Sequence, residues 1–162
     1  QNSCLPDRQA KFKIQNFKDV KEYLEAAKSK SEEDRIAEGR EKTGIELKGI
    51  KAINPANQEE IPIFVADYVL GNVGTGAIMA VPAHDERDFE FANKFNLPVK
   101  IVVCPHYPEK TCPVLDKAYI GEGHLVGSGK FDGMDSQKAK EEITKFVGGE
   151  NKIKYRLLRQ LL

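Results

Sequence analysis

Apolar residues recur along this chain with two different periods. From Asn16 the period is helical: Phe17, Val20, Leu24 and Ala27 share one face, and Asn16 is the expected N-cap. Ser31, followed by Glu32, Glu33 and Asp34, predicts a second helix start, because acids favour the positive end of the helix dipole; Gly39 or Gly44 would end it. The period then shortens. Residues 47–53 alternate as a strand and 61–68 read as its returning partner. Residues 54–60 form the hairpin loop, with Asn54-Pro55-Ala56-Asn57 supplying the turn chemistry. Three glycines within residues 71–76 predict a tight connection. Residues 77–81 are a short apolar run that predicts a buried strand, stopped by Pro82. A helix follows, with Asp85 as N-cap, Asp88 near the third helical position and an end around Asn96-Leu97-Pro98. Residues 99–103 predict another strand, 104–113 a proline-stiffened loop and 119–133 turns around short strands. The last helix is expected over 136–147, with Ala139, Ile143, Phe146 and Val147 on its packed face and Gly148-Gly149 as its cap. Residues 1–13 show no period.

Composition narrows this picture only in part. The 162 residues suit one domain, and 40% hydrophobic with 31% charged residues allow a packed core. No apolar run approaches the roughly 20 residues that cross a bilayer, and no stretch reads as an export signal, so a cytoplasmic protein with no membrane partner is expected. The formal net charge is zero. A nucleic-acid partner would therefore meet a local basic patch rather than a global field. The more basic stretch is 138–159, with Lys152, Lys154, Arg156 and Arg159 near its end. The three cysteines, an odd count, fit free thiols in a reducing compartment.

Chemistry concentrates at residues 84–88. A proline ends an apolar run, and Asp85 and Asp88 then lie three apart on a helix first turn, sharing a side of it. Glycine-flanked Thr75 brings backbone close to the same place. Acids there can bind a cation such as an α-ammonium group or orient water. They can equally cap free N–H groups. Asp85 is the better cap and Asp88 the better ligand. His84 suits a hydrogen-bonded structural role more readily than that of a base. Elsewhere the signals are weaker. Cys104, His106, Cys112 and His124 include zinc-ligand types, but their spacing does not match paired knuckles, and no metal is expected. Residues 121–129 are glycine-rich yet do not open a helix after a strand, as a phosphate loop must.

The string GTGAIMAVPAHDERDFEFANKFNLPVK, residues 74–100, closely resembles the signature of the editing (connective peptide 1) domain of bacterial-type leucyl-tRNA synthetases. Other stretches agree in order: Glu41-Lys42-Thr43-Gly44, Ala52-Ile53-Asn54-Pro55, Ala66-Asp67-Tyr68-Val69-Leu70, Gly121-Glu122-Gly123, Ser128-Gly129-Lys130-Phe131-Asp132-Gly133 and Tyr155-Arg156-Leu157. Met79-Ala80-Val81-Pro82 and Arg87-Asp88-Phe89-Glu90-Phe91-Ala92 favour the leucyl over the valyl enzymes. The resemblance runs from about residue 20 to 157.

That resemblance implies a mixed α/β fold, a β-barrel core flanked by helices. It implies hydrolysis of the ester of a wrong amino acid on the 3′ end of tRNA(Leu), with the rest of a leucyl-tRNA synthetase as a further partner. Asp88 maps onto the aspartate that holds the α-ammonium, and Asp85 and His84 onto neighbouring catalytic-site positions. Met79 and Val81 map onto the wall around the amino-acid side chain, with Thr75 and Gly76 beside them in the pocket. No cofactor is implied; ATP and Mg²⁺ serve the synthetic domain, whose signatures this chain lacks. The expected organisation is an ill-defined segment 1–15, an editing domain 16–157 and a tail 158–162. The family's threonine-rich strand has no match: residues 1–13 hold no threonine, and Thr43, Thr75, Thr111 and Thr144 are isolated. A domain lacking its N-terminal part, weak or inactive alone, is therefore expected. The alternative is a non-catalytic tRNA-binding or structural fragment with half a site.

Overall fold

The computed structural model describes residues 14–29, 41–69, 71, 75–108 and 116–150. The expectations for 1–13, the helix start at Ser31 and the basic end from Lys152 onward lie outside the described residues, as do Cys4, Gly74 and Cys112.

The centre of the fold is a hairpin with a packed cluster on each face. Its strands are β1 (Gly44–Ile53) and β2 (Glu60–Ala66), antiparallel, with Gly44 opposite Ala66, Ile45 opposite Val65 and Glu46 opposite Phe64. Side chains alternate between faces along a strand. Ile45, Leu47, Ile63 and Val65 therefore fall on one side, packed with Ile14 and with Phe17, Val20 and Leu24 of helix α1 (Phe17–Lys28). On the other side Phe64 meets Phe91 edge-on at 5.3 Å and Phe95 at 5.4 Å. Those two rings belong to the end of helix α2 (Glu86–Lys94) and its C-cap. Such ring pairs contribute about 0.5–1.5 kcal/mol each beyond area burial. Gly44 shares this face, and a Cβ there would stand 2.7 Å from the Phe91 ring. Its missing side chain is what lets α2 dock.

The register is broken between Glu46 and Lys51, where residues 47–50 oppose Ile63. This bulge frees backbone groups of β1, and Asn16 takes them. Its amide Nδ2 donates to the Glu46 carbonyl at 2.8 Å, and its Oδ1 accepts from the Lys48 N–H at 3.0 Å. Asn16 precedes α1 as expected but makes no cap bond. The unpaired strand backbone outcompetes the helix end for its amide. The hairpin loop follows the expected turn chemistry: Asn54 Oδ1 accepts from the Ala56 N–H at 2.9 Å. At the base of the hairpin, Thr43 donates its hydroxyl to buried Asp67 at 2.7 Å, and the Tyr23 hydroxyl lies 3.0 Å from Thr43 Oγ1.

The remaining elements are short. Strands β3 (Val103–Cys104) and β4 (His124–Leu125) pair antiparallel, and helix α3 (Ser136–Phe146) follows. Helices α2 and α3 end in the same way. Leu97 N–H reaches back to the Ala92 carbonyl and Gly149 N–H to the Thr144 carbonyl, both at 2.8 Å. Asn96 and Gly148 supply the left-handed residue that this wrap requires. Phe146, expected on the packed face of α3, is instead exposed; its ring carries the Lys130 ammonium 3.1 Å from the centroid.

The architecture is mixed α/β, but the described residues form no closed barrel. They form two two-stranded sheets. A barrel needs an unbroken ring of strand pairing, and the runs expected to supply further strands do not provide it. Residues 77–81 are exposed and irregular rather than a buried strand. The Val81 N–H is taken by the Asp88 carboxylate, and the Val102 and Val103 N–H groups are directed at His84. Side chains have claimed donors that a ladder would use. No helix among the described residues is long and apolar enough to cross a membrane.

Candidate functional site

The junction between residues 77–81 and α2 is held by three side chains, each committed differently. Asp85 is the cap. In extended conformation, it accepts from the Arg87 N–H at 2.9 Å and the Asp88 N–H at 3.2 Å. The Arg87 guanidinium also pairs with it, Nη2 to Oδ2 at 3.0 Å. That guanidinium holds the Asp85 carboxyl below its ordinary range, with the capped N–H groups adding to the effect against partial desolvation.

His84 is a tie. Its Nδ1 lies 2.9 Å from the Tyr119 carbonyl. Its Nε2 faces two donors, the N–H groups of Val102 at 3.2 Å and Val103 at 3.1 Å. A nitrogen facing N–H groups must accept, so the ring proton sits on Nδ1 and is donated to Tyr119. Both nitrogens are thus used by backbone, and the ring joins the turn at 82–84 to the segments at 102–103 and 119.

Asp88 differs from both. It is 5% exposed, and capping does not explain it. Its Oδ1 accepts from the Tyr68 hydroxyl at 2.7 Å and its Oδ2 from the Val81 N–H at 2.8 Å. An ionised carboxylate offers about four acceptor positions, so these two bonds leave capacity for a further donor. Burial, and then the Asp88 carboxylate, push the Tyr68 phenol far up. It stays protonated and remains a donor.

Beside this carboxylate runs an uncovered apolar stretch. Ile78, Met79 and Val81 are 57%, 52% and 47% exposed. Thr75 is exposed too, its hydroxyl 3.4 Å from both the N–H and the carbonyl of Ala77. Gly76 follows with φ of +76°, a conformation that favours glycine. The structure thus joins Asp85, Asp88 and Val81 directly, with His84 bracing the turn between them; Met79, Thr75 and Gly76 lie on the segment leading in. Tyr68, on the turn after β2, was not singled out by sequence reasoning. Spacing carried no signal for it, since its link to Asp88 spans 20 positions. Of the zinc-ligand types, Cys104 is buried with a free thiol, and the described residues contain no group of three or more potential metal ligands.

Comparison with known proteins agrees with the residue-level likeness. The family model for the leucyl-tRNA synthetase editing domain matches residues 8–148. A leucine–tRNA ligase of Petrotoga mobilis is 51% identical over 133 residues, covering 82% of this chain and 16% of that protein. One from Rubrobacter xylanophilus is 49% identical over 143 residues, covering 86% and 17%. The leucine–tRNA ligase α subunit of Aquifex aeolicus is 48% identical over 145 residues, covering 87% and 22%. Among solved structures, the ternary complex of Agrobacterium radiobacter LeuRS with tRNA and LeuAMS superposes with a TM-score of 0.57 at 33% identity, over 80% of this chain and 13% of that one. The chain spans about a sixth of the first two relatives' length. A family match over residues 8–148, a range that includes Asp85 and Asp88, leaves one assignment: the chain belongs to the leucyl-tRNA synthetase editing-domain family.

Proposed function

We propose that this chain hydrolyses the ester joining a wrong amino acid to the 3′ end of tRNA(Leu), as the editing part of a leucyl-tRNA synthetase working in the cytoplasm. The observation that carries the proposal is the buried Asp88 carboxylate, held by two donors at the head of an uncovered apolar stretch. An α-amino ester is an ammonium group and a side chain on one carbon. Asp88 would take the ammonium, while Met79 and Val81 would flank the side chain and Thr75 and Gly76 would approach the ester.

The chemistry follows from position. With the ammonium pinned, the ester carbonyl is fixed relative to a water molecule. Water adds to the carbonyl carbon, the ester C–O bond breaks, and the ribose oxygen leaves with a proton. Orientation of this kind lowers the barrier without a cofactor; ATP and Mg²⁺ belong to amino-acid activation elsewhere in such a synthetase. Asp85 and His84 would serve as positioning residues, the first by starting α2 and the second by bracing its turn. Because an apolar pocket separates aliphatic homologues by only about 10- to 200-fold, a second hydrolytic site is needed for accuracy. Barrel closure would require strands beyond those described here, and we place it in the larger synthetase.

The test is release of isoleucine from isoleucyl-tRNA(Leu) by this chain and by Asp88→Ala. With the threonine-rich strand unmatched, the proposal expects only weak release by this chain alone, and expects the substitution to remove it. Equal background rates from both, with tRNA binding retained, would instead make the chain a non-catalytic tRNA-binding fragment.

A further inference from the structure

Asp88 lies on α2, but one of its two oxygens is set by a residue from the far end of the hairpin. Tyr68 is buried, its ring 5.6 Å from that of Phe91, and its hydroxyl points to Asp88 Oδ1 at 2.7 Å. The Val81 N–H fixes the other oxygen at 2.8 Å. Two donors on two oxygens define the carboxylate plane, and with it the directions left for a third donor. We infer that Tyr68 is a positioning residue for substrate recognition: through Asp88 it orients the receptor for an α-ammonium group. The inference rests on the Asp88 reading above.

Packing alone would be a different role. If Tyr68 only filled space against Phe91, its ring would matter and its hydroxyl would not. A phenol held protonated by burial and by Asp88 donates steadily across the neutral range. Without it, Oδ1 loses its protein partner, and the carboxylate turns about the Val81 bond. Ammonium binding then suffers, while groups that do not use Asp88 are unaffected.

The experiment uses two probes that cannot be hydrolysed: isoleucine joined by an amide to 3′-amino-3′-deoxyadenosine, and its desamino counterpart, the 3-methylpentanoyl amide, which has no donor on the α-carbon. Affinities of both are measured by titration calorimetry for the unaltered chain, Tyr68→Phe and Tyr68→Leu, with melting temperatures alongside. Tyr68→Phe is expected to weaken the ammonium probe about three- to tenfold, as for loss of one hydrogen bond to a charged group. It should leave the desamino probe unchanged and lower the melting temperature by about 2–4 °C, since Asp88 Oδ1 loses its donor. Tyr68→Leu should lower the melting temperature clearly. Equal effects of Tyr68→Phe on both probes, or none on either, would overturn the positioning role and leave the Asp88 reading standing. If the unaltered chain failed to prefer the ammonium probe, the Asp88 reading itself would fall, and this inference with it.

Discussion

Helices α2 and α3 begin almost identically. Asp85 accepts from the N–H groups two and three residues on, at 2.9 and 3.2 Å, and Asp135 does the same at 3.0 and 3.2 Å. Both helices close with the same backward wrap. The difference lies three residues beyond each cap. After Asp135 comes Lys138, exposed. After Asp85 comes Asp88, buried and bonded to Tyr68 and Val81. A helix start explains an aspartate at the cap. It does not explain a second carboxylate driven into the interior, where a lone charge is costly unless donors meet it. The comparison separates what the fold needs from what only a ligand would use.

The largest expected effect breaks that comparison at its key residue. Asp88→Ala should lower deacylation of isoleucyl-tRNA(Leu) by about 100-fold or more, as when one partner of a desolvated charge pair is removed. Asp135→Ala should leave the rate within about twofold once stability is matched. Rates at equal folded fraction check both. Next, Gly44→Ala should destabilise by about 1–3 kcal/mol, since a methyl group must displace the Phe91 ring or the Val65 carbonyl, each within 3 Å. Denaturant unfolding measures it. Smaller still, Asp85→Ala and Asp135→Ala should each cost about 1 kcal/mol, the usual worth of a cap; a clearly larger loss at Asp85 would mean that the cap also supports the site.

Stability against pH sharpens the same contrast. The phenols of Tyr23 and Tyr68 are raised above the ordinary value of 10.0, chiefly by burial. The native state keeps those protons where the unfolded chain loses them. Their contribution is therefore complete below pH 10 and falls as pH rises beyond it. Asp85 acts oppositely: its lowered value means that stability is lost as pH falls below the ordinary carboxylate range. Tyr68→Phe should flatten the alkaline limb, as seen in melting temperatures across pH 8 to 11 (roughly the tyrosine range).

Much of the helical framework was legible in the sequence, because caps and apolar spacing are local. The α2 start at Asp85 and the glycine stop of α3 followed from adjacent residues. The hairpin was legible for the same reason, but its bulge was not, since the docking of Gln15 and Asn16 against β1 compensates the broken pairing from some 30 positions away. The run at 77–81 was misread as a buried strand. Its apolar composition is the same whether a sheet or a ligand is meant to cover it, and the competing partner for the Val81 N–H lies seven residues on, in a helix. For the site, position on the helix first turn made Asp85 the better cap and Asp88 the better ligand, without saying which ligand. Family likeness singled out Asp88, and the hydrogen bonds now give a physical distinction between them. Tyr68 was out of reach of any local rule.

One titration bears most directly on the claim that Asp88 is a receptor and not a structural acid. The unaltered chain, Asp135→Ala and Asp88→Asn are compared for binding the amide-linked isoleucyl adenosine probe, at equal folded fraction. The account predicts near-normal affinity for Asp135→Ala and a loss of about 100-fold for Asp88→Asn, which keeps the shape and removes the charge. Equal affinity in all three would contradict it.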